Sequence, residues 1–387
     1  MHLYKSTPEH ALLMAGIYIH IPFCRKACHY CNFHFSTRLD ELDEMVDAIC
    51  TELHMRSSEL ETSIDTIYFG GGTPSLLNPS SIEQILNTLH RNFSVHQEAE
   101  LTLEANPDDI NADRSRQWKS MGINRFSIGV QSFLSKHLEW MNRAHTAEQS
   151  LRCISTIREA GFENFSIDLI YGSPSQTVEE WVADLNTAIE LEVPHLSCYA
   201  LTVEEKTALH KMIGLGKIPP VQTELQAICF EALMHLAAEH GYHHYEISNL
   251  AKPGKESRHN SSYWEGVPYL GCGPAAHSYE GNRRSWNISS NRGYIQSIQE
   301  GELPCEWEQL SENDMLNEYV MTALRRSIGI QRNVLEEKWG EQSLRRIEKE
   351  IQPFVEQGQV IASASGWQLS ASGKFFADGI AATLFTL

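Results

Sequence analysis

The amino-acid sequence predicts an α/β protein in which six strand–helix units form a partial, TIM-like (βα)6 barrel, followed by a small C-terminal α+β domain of winged-helix-like type. Apolar β-branched runs alternate with helical segments roughly every 30 residues, which is typical of a parallel sheet with helical crossovers. Six units are too few for a complete eight-stranded barrel. The alternation stops near residue 205. We therefore expect domains at 1–245, 246–305 and 306–387, with an irregular connecting region in the middle.

Each expected strand is a short run rich in β-branched and aromatic residues. The strands are expected at 17–21, 64–69, 99–105, 125–130, 165–171 and 195–201. The helices between them are expected at 40–60, 80–93, 111–121, 147–160 and 178–190. Further along the chain, we expect helices at 224–240, 312–327, 331–339, 342–357 and 371–384, and a small hairpin at 358–361 and 366–369.

Polar and glycine-rich signals fall where the predicted parallel strands end. Three cysteines follow the first strand, residues 70–74 follow the second, and Glu104 lies on the third. Gln131 follows the fourth strand, and Asp168 lies late in the fifth. Parallel barrels carry their chemistry at the carboxyl ends of their strands. We therefore expect these residues to form one site.

The three cysteines are Cys24, Cys28 and Cys31, in a C-x3-C-x2-C spacing directly after an apolar run. A closed structural zinc site takes four protein ligands, and an electron-transferring cubane takes a thiolate on each of its four irons. Three thiolates instead leave one iron open to a further chelator. The residues also leave open a zinc knuckle completed by His29 or His34.

Residues 70–74, Gly-Gly-Gly-Thr-Pro, connect a strand to a helix, and their backbone groups suit a zwitterionic ligand. The alternative is a tight turn alone. Glu104 and Asp168 are carboxylates in apolar strands and need partners, because a buried charge is costly. Arg143 is one candidate partner of Glu104, and a purely structural ion pair is the alternative. Gln131 suits a hydrogen bond to a ribose or adenine, or a helix cap.

Two histidines lie in the aromatic, glycine-rich region near the end of the expected barrel. In the segment 259–264, His-Asn-Ser-Ser-Tyr-Trp, His259 stands close to aromatic residues and suits a planar ligand such as haem, with imidazole as axial ligand. His277 follows a glycine-rich stretch. A lone histidine is more often structural, so neither residue decides the function by itself.

Composition excludes several classes of protein. The net charge of −19 and the pI near 5.4 argue against a nucleic-acid surface, and no apolar run reaches the length of a membrane span. Residues 1–15 contain no basic n-region and no small-residue cleavage site, so we expect a cytoplasmic protein. In that compartment nine cysteines are not a disulfide framework. The six outside the triplet are interpreted as small buried hydrophobes: Cys50, Cys153, Cys198, Cys229, Cys272 and Cys305.

Together these motifs resemble the oxygen-independent coproporphyrinogen III dehydrogenase family of radical S-adenosyl-L-methionine (SAM) proteins, and most closely its HemW branch, regarded as haem chaperones. The resemblance covers almost the whole chain. It rests on the cysteine triplet and on the segments 18–23, 70–74, 104–107, 129–133, 142–145, 167–172 and 259–264.

The resemblance implies a role for each matched residue. Cys24, Cys28 and Cys31 would hold a 4Fe-4S iron–sulfur cluster, whose open iron is chelated by SAM and whose electron breaks the sulfonium bond. Tyr30 would lie against the adenine, and His259 is the candidate haem contact. The implied SAM contacts are Tyr18, Gly71, Gly72, Thr73, Glu104, Gln131, Arg143 and Asp168.

Two features favour the HemW branch over the true dehydrogenases. Phe33 stands where those enzymes carry a fourth cysteine, and only 23 residues precede Cys24, whereas they have a longer amino-terminal segment. One departure is Ala275, where the family pattern has glycine, which puts the local backbone conformation in doubt.

The expected function is therefore to bind haem and deliver it to apo-haemoproteins, such as those of the respiratory chain. The alternative is oxidative decarboxylation of coproporphyrinogen III. The resemblance also implies a reductant for the cluster, cluster-dependent dimerisation and peripheral membrane association.

Overall fold

A computed structural model describes residues 14–386 of the chain. The expected absence of a targeting signal concerns residues 1–15 and lies almost entirely outside the described residues. No helix within residues 14–386 is long and apolar enough to cross a membrane.

Six parallel strands form the centre of the main sheet and are neighbours in the order in which they occur in the chain. They are β1 (Met14–Ile21), β2 (Ser63–Gly71), β3 (Val95–Ala105), β4 (Arg125–Gln131), β5 (Phe165–Tyr171) and β6 (His195–Ala200). The helices between them are α1 (Leu42–Met55), α2 (Pro79–Asn92), α3 (Ala112–Ser120), α4 (Ser135–Trp140), α5 (Ala147–Glu159) and α6 (Val178–Glu190). The predicted α/β fold on six parallel strands is confirmed, and every expected strand overlaps an observed one.

Alternating side chains give the parallel strands two different faces. On β1, Ile17, Ile19 and Ile21 are fully buried in the core that also contains residues of the helices. Tyr18 and His20 alternate with them and therefore lie on the opposite face, which we call the inner face. The polar residues predicted to form a site lie on or above this face.

Local signals fix where several helices begin. Thr146 and Thr177 each cap a helix through a reciprocal capping box with the residue three positions later. Pro79 occupies the first turn of α2, where its missing N–H leaves no hydrogen bond unmade.

The main sheet continues beyond β6 at one edge and beyond β1 at the other, giving twelve strands among the described residues. Beyond β6 lie β8 (Asn249–Ala251) and then β7 (His243–Glu246); beyond β1 lie β9 (Tyr269–Cys272), β10 (His277–Tyr279), β11 (Arg283–Asn287) and β12 (Cys305–Gln309). The accompanying helices are α7 (Ala208–Gly214), α8 (Thr223–Glu239), α9 (Arg258–Glu265) and α10 (Asn291–Gln299). The sequence prediction of an irregular region missed the strands β9–β12, because each is only three to five residues long.

A buried carboxylate fastens this extension to α1. Glu52 is fully buried and forms an ion pair with Arg56 at 3.1 Å. It also accepts hydrogen bonds from the backbone N–H of Gly273 (2.8 Å), the amide of Asn287 (2.8 Å) and the hydroxyl of Tyr294 (2.5 Å). Because the donors come from separate segments around β9–β11, this one side chain fixes their position against the parallel core.

The C-terminal part has its own three-stranded sheet and its own hydrophobic cluster. Its elements are α11 (Glu312–Arg325), β13 (Ile330–Gln331), α12 (Arg332–Glu356), β14 (Val360–Ala362), β15 (Gly366–Leu369) and α13 (Ala377–Thr383). Within α12, Gly340 adopts φ 76° and breaks the helix, close to where two separate helices were expected. The expected hairpin is the antiparallel pair β14–β15, so this prediction is confirmed.

We expect Glu52→Ala to lower the free energy of unfolding by about 3 kcal/mol or more, because it removes the acceptor of three buried hydrogen bonds and one of the two carboxylates that pair with the buried Arg56. Urea unfolding followed by circular dichroism measures the change. Glu59→Gln is the matched control, since Glu59 pairs with the same Arg56 at 2.8 Å but is 44% exposed. A surface pair is worth about 1 kcal/mol at most. Equal losses in the two variants would contradict the anchoring role of Glu52.

Candidate functional site

The cysteine loop begins where β1 ends and closes on itself. The backbone N–H of Cys24 donates to the carbonyl of Ser36 at 3.0 Å, and the N–H of Ser36 donates to the carbonyl of Pro22 at 2.8 Å. Within the loop, the N–H of Cys31 donates to the carbonyl of Cys28 at 3.3 Å. All three cysteines are free and partly buried. These hydrogen bonds close the base of the loop and so restrict the positions of its thiols.

The thiols of the loop lie close enough to influence one another. Burial raises the pKa of Cys24 to about 11, the hydroxyl of Thr73, which donates to its sulfur at 3.4 Å, opposes the shift, and the other two cysteines reinforce it. Burial likewise raises the pKa of Cys31. Three neighbouring thiolates repel one another, so a positively charged partner is needed to hold all three ionised together.

Arg143 supplies the positive charge beside these thiols. Its Nη1 donates to the sulfur of Cys28 at 3.3 Å, and its Nη2 donates to Oδ1 of Asn106 and to the carbonyl of Gly129, both at 2.7 Å. The amide of Asn106 reaches the hydroxyl of Thr73 at 3.4 Å. The guanidinium therefore connects the cysteine loop to the ends of β2, β3 and β4.

Glu104 does not pair with Arg143, contrary to one of the partners proposed from the sequence. Its Oε1 accepts from the hydroxyl of Tyr68 at 2.8 Å, and its Oε2 accepts from the backbone N–H of Gly71 at 3.2 Å. Burial raises the pKa of Glu104 to about 8, and the nearby charge of Asp168 adds to the shift. Burial also raises the pKa of Asp168, to about 6. Two carboxyls in this environment favour a ligand with a positive charge or several hydrogen-bond donors.

The glycine loop packs directly against the cysteine loop. Gly71 has φ 110°, a conformation that favours glycine. The N–H of Gly72 donates to the carbonyl of Ile21 at 2.9 Å, and a Cβ added to Gly72 would lie 2.6 Å from the carbonyl oxygen of Phe23. Glycine is needed here because two backbone segments touch, which is more than a tight turn alone requires.

Comparisons with known proteins place this arrangement in a family. The radical SAM superfamily matches residues 18–188, and the HemN C-terminal domain matches residues 310–376. The chain is 33% identical over 371 residues to the haem chaperone HemW of Bacillus subtilis, covering 95% of this chain and 98% of that protein. It is 32% identical over 377 residues to the HemW of Escherichia coli, covering 94% and 96%. The chain belongs to the HemW family.

A solved structure supports the same fold for this HemW-family protein. Coproporphyrinogen III oxidase (HemN) from Escherichia coli, described as a radical SAM enzyme, aligns with a TM-score of 0.84 and 24% identity. The alignment covers 98% of this chain and 92% of that one. At this identity the match establishes the fold alone. That fold comprises the radical SAM core and the C-terminal domain.

The radical SAM family implies a 4Fe-4S cluster and SAM, and the residues of this HemW-family chain fit both. Three free thiols share one loop, and three thiolates are what a cubane with one open iron takes from the protein. The guanidinium of Arg143 lies beside them. Within residues 14–386, no three His, Cys, Asp or Glu side chains converge closely enough to hold a single metal ion. A cubane is wider than one ion and takes its thiolates further apart.

The zinc knuckle considered from the sequence finds no support in the described structure. Within residues 14–386, neither His29 nor His34 belongs to a group of three His, Cys, Asp or Glu side chains that could hold a metal ion. The Nδ1 of His29 hydrogen-bonds the carbonyl of Trp140 at 2.7 Å, and the Nε2 of His34 hydrogen-bonds Oδ1 of Asn291 at 2.7 Å.

The remaining predicted SAM contacts lie at the same end of the parallel sheet, next to the cysteine loop and the glycine loop. Tyr18 lies on the inner face of β1 with its hydroxyl 3.2 Å from Nδ1 of His20. Tyr30 packs beside the small apolar cluster that includes Met141. Gln131 is buried at the end of β4 with φ 67°, and it does not cap the following helix. The structure thus brings the predicted residues of β1–β5 together at one end of the sheet.

His259 lies on α9, packs against side chains of β2 and is 1% exposed. Its Nδ1 is 2.7 Å from the hydroxyl oxygen of Thr66, and its Nε2 is 2.8 Å from the hydroxyl oxygen of Tyr263. Its ring stacks on Tyr68 with a centroid distance of 4.9 Å. The haem contact assigned to His259 stays a prediction, and it requires one ring nitrogen of the buried imidazole to leave its hydrogen bond.

Sequence reasoning missed three supporting residues. Tyr68 holds Glu104, and Asn106 joins Arg143 to Thr73. Asp109 accepts from Arg25 of the cysteine loop and from Ser75, both at 2.7 Å. Asn106 was visible as the residue before a proline that ends β3, but the partners of Tyr68 and Asp109 come from distant parts of the chain.

We expect Glu104→Gln to flatten the pH dependence of the free energy of unfolding. The folded protein raises the pKa of Glu104 from 4.5 to about 8, so the stability gained by holding this proton is fully present below the unfolded pKa and is lost as the pH rises through the folded pKa. The glutamine variant lacks this loss between about pH 4.5 and 8. Urea unfolding of the protein without cluster or SAM, across pH 5 to 8.5, measures it.

Glu98→Gln is the control for this experiment, because Glu98 is an exposed carboxyl on the same strand. Its stability profile is expected to follow that of the unmodified protein. Parallel profiles for Glu104→Gln and the unmodified protein would contradict the raised pKa.

Proposed function

We propose that this protein is a haem chaperone that binds haem, carries a 4Fe-4S cluster with SAM, and transfers the haem to apo-haemoproteins. The observation that carries the proposal is the similarity to proteins named haem chaperone HemW across nearly the full length of both chains. Phe33 adds support, because the true dehydrogenases are expected to have a fourth cysteine there. Its side chain is 68% exposed beside the cysteine loop.

The residues of the site would divide the binding of cluster and SAM among themselves. Cys24, Cys28 and Cys31 would hold the cluster, which supplies one-electron chemistry to SAM when both are bound. Glu104 and Asp168 would accept hydrogen bonds from the polar groups of SAM, since both residues are partly buried on the strands that line the site. The other proposed contacts are Tyr18, Tyr30, Gly71, Gly72, Thr73, Gln131 and Arg143.

The proposed partners follow from the same role. They are haem, apo-haemoproteins such as those of the respiratory chain, a reductant for the cluster, and a second copy of the chain in a cluster-dependent dimer. The nine cysteines form no disulfide in the described structure, which suits the reducing cytoplasm. We propose a cytoplasmic protein with peripheral membrane association, and the net charge of −19 makes a nucleic-acid partner unfavourable.

One experiment distinguishes a chaperone from a dehydrogenase. Anaerobic protein is reconstituted with iron and sulfide and then supplied with SAM and a strong reductant. One half of the sample receives haem and the other half coproporphyrinogen III. We expect stable haem binding after gel filtration, haem transfer to an apo-haemoprotein, and no release of carbon dioxide from the porphyrinogen. Protoporphyrinogen formed together with carbon dioxide would overturn the chaperone proposal.

A control variant separates the cluster from haem binding. Cys28→Ser is expected to lose the cluster, seen as loss of the iron–sulfur absorption, because two thiolates do not hold a cubane. Haem binding by this variant tests whether the cargo needs the cluster.

A further inference from the structure

The sheet extension beyond β1 contains a surface pocket that the site described so far does not use. The pocket has a volume of about 330 Å³ and is lined by His277, Arg284, Trp286 and Glu308. This volume is at the lower end of the range found for small-molecule sites. The lining combines an imidazole, a large flat ring and a guanidinium with the carboxylate of Glu308, which pairs with that guanidinium. The imidazole, the ring and the remaining N–H donors of the guanidinium suit different parts of one planar anionic ligand.

The strand register places these side chains together on one face. His277 on β10 lies opposite Trp286 on β11, and Arg284 on β11 lies opposite Glu308 on β12. Tyr279, two residues after His277, pairs with Tyr269 of β9. Because strand residues two apart share a face, the pocket belongs to a continuous surface of β9–β12.

This surface continues the inner face of β1. β9 runs parallel to β1, with Gly16 opposite Tyr269 and Tyr18 opposite Gly271. Tyr18 and Tyr269 therefore share the inner face with the pocket. The pocket is thus a lateral extension of the surface on which the SAM site lies.

His277 is the imidazole that this surface offers to a ligand. It is exposed, and within residues 14–386 no hydrogen bond is made by its ring nitrogens. By contrast, His20 contacts the hydroxyl of Tyr18 and the carbonyl of His34, and both ring nitrogens of His259 are engaged. Partial burial, followed by the charge of Arg284, lowers the pKa of His277. A neutral ring is the form that binds a metal.

Trp286 and Arg284 suit the other parts of a haem. The indole ring lies 6.2 Å from the imidazole of His277, centroid to centroid, and is partly exposed, so it offers a flat apolar surface to a macrocycle. Arg284 uses Nε for Glu308 (2.8 Å) and Nη1 for Glu318 (2.6 Å). A guanidinium has five N–H donors, so others stay available for a propionate.

His20 connects the pocket to the glycine loop. A Cβ added to Gly71 would lie 2.7 Å from the ring of His20, so the ring covers that glycine. His20 is also close enough to His277 for the two rings to interact electrostatically. A ligand in the pocket would therefore be separated from the glycine loop by a single imidazole.

We propose that this pocket binds haem and that the imidazole of His277 is the axial ligand of its iron. The inference rests on the proposed haem-binding function and assigns the site of binding. It assigns the ligand to His277 rather than to His259, because His277 needs no rearrangement to reach an iron atom. Binding forms one bond between a ring nitrogen and the iron, and displaces a weaker ligand such as water.

The test measures haem binding by the full-length, reconstituted protein and by four variants. One of them, His259→Ala, removes the histidine of the 259–264 motif. His277→Gln removes the ligand and keeps the side-chain size, and His277→Gly leaves a gap that added imidazole fills. His235→Gln is the matched control, because His235 is another exposed histidine, distant from the pocket. Haem titration, the Soret spectrum and the haem content after gel filtration are recorded, and thermal unfolding confirms that each variant is folded.

We expect both His277 variants to lose haem affinity by about tenfold or more and to show an altered Soret band, whereas His235→Gln does not change. Imidazole added to His277→Gly is expected to restore protein-bound haem and the original spectrum. An unaltered spectrum and affinity in folded His277 variants would overturn the assignment. Loss of binding in His259→Ala alone would do the same in favour of the 259–264 motif. If the unmodified protein binds no haem, the proposed function itself fails.

Discussion

The buried guanidinium of Arg143 is the interaction on which the site depends. It donates to the sulfur of Cys28, to Asn106 and to the carbonyl of Gly129, and so joins the cysteine loop to three strand ends. Burial raises the pKa of Cys24 and of Cys31, and the charge of Arg143 opposes both shifts. Loss of the guanidinium would also remove the donor to Asn106 and to the carbonyl of Gly129. Arg143 therefore joins the strand ends at the same point at which its charge favours the thiolate form that a cluster would need.

A row of packed aromatic and polar side chains supports the carboxyl of Glu104. His259 stacks on Tyr68, and Tyr68 donates to Glu104. Glu100, one layer further down, accepts from the backbone N–H of His259 at 3.1 Å. Buried polar networks are costly when one member lacks a partner. The segment 259–264 thus supports the proposed SAM contact Glu104 through packing against Tyr68.

The sequence was sufficient for the parallel core but not for the extension of the sheet. The strand at 165–171 was predicted at its observed bounds, because it is rich in β-branched and aromatic residues. Strands such as His277–Tyr279 are too short to show a period, and their pairing depends on the distant Glu52. The partners of Glu104, Tyr68 and the backbone N–H of Gly71, were not predicted either, because they come from a different strand. The doubt over Ala275 was justified, since its φ of 60° is left-handed and favours glycine.

β1 lies between the proposed SAM site and the proposed haem pocket. Its carboxyl end leads into the cysteine loop, and its inner face carries Tyr18 and His20 between the glycine loop and the pocket of His277. His20 also hydrogen-bonds the carbonyl of His34, just beyond the last cysteine. Under the proposed function, a change in the conformation of the loop on cluster loading would reach the pocket through the ring of His20. The state of the cluster would then influence haem binding without the movement of a domain.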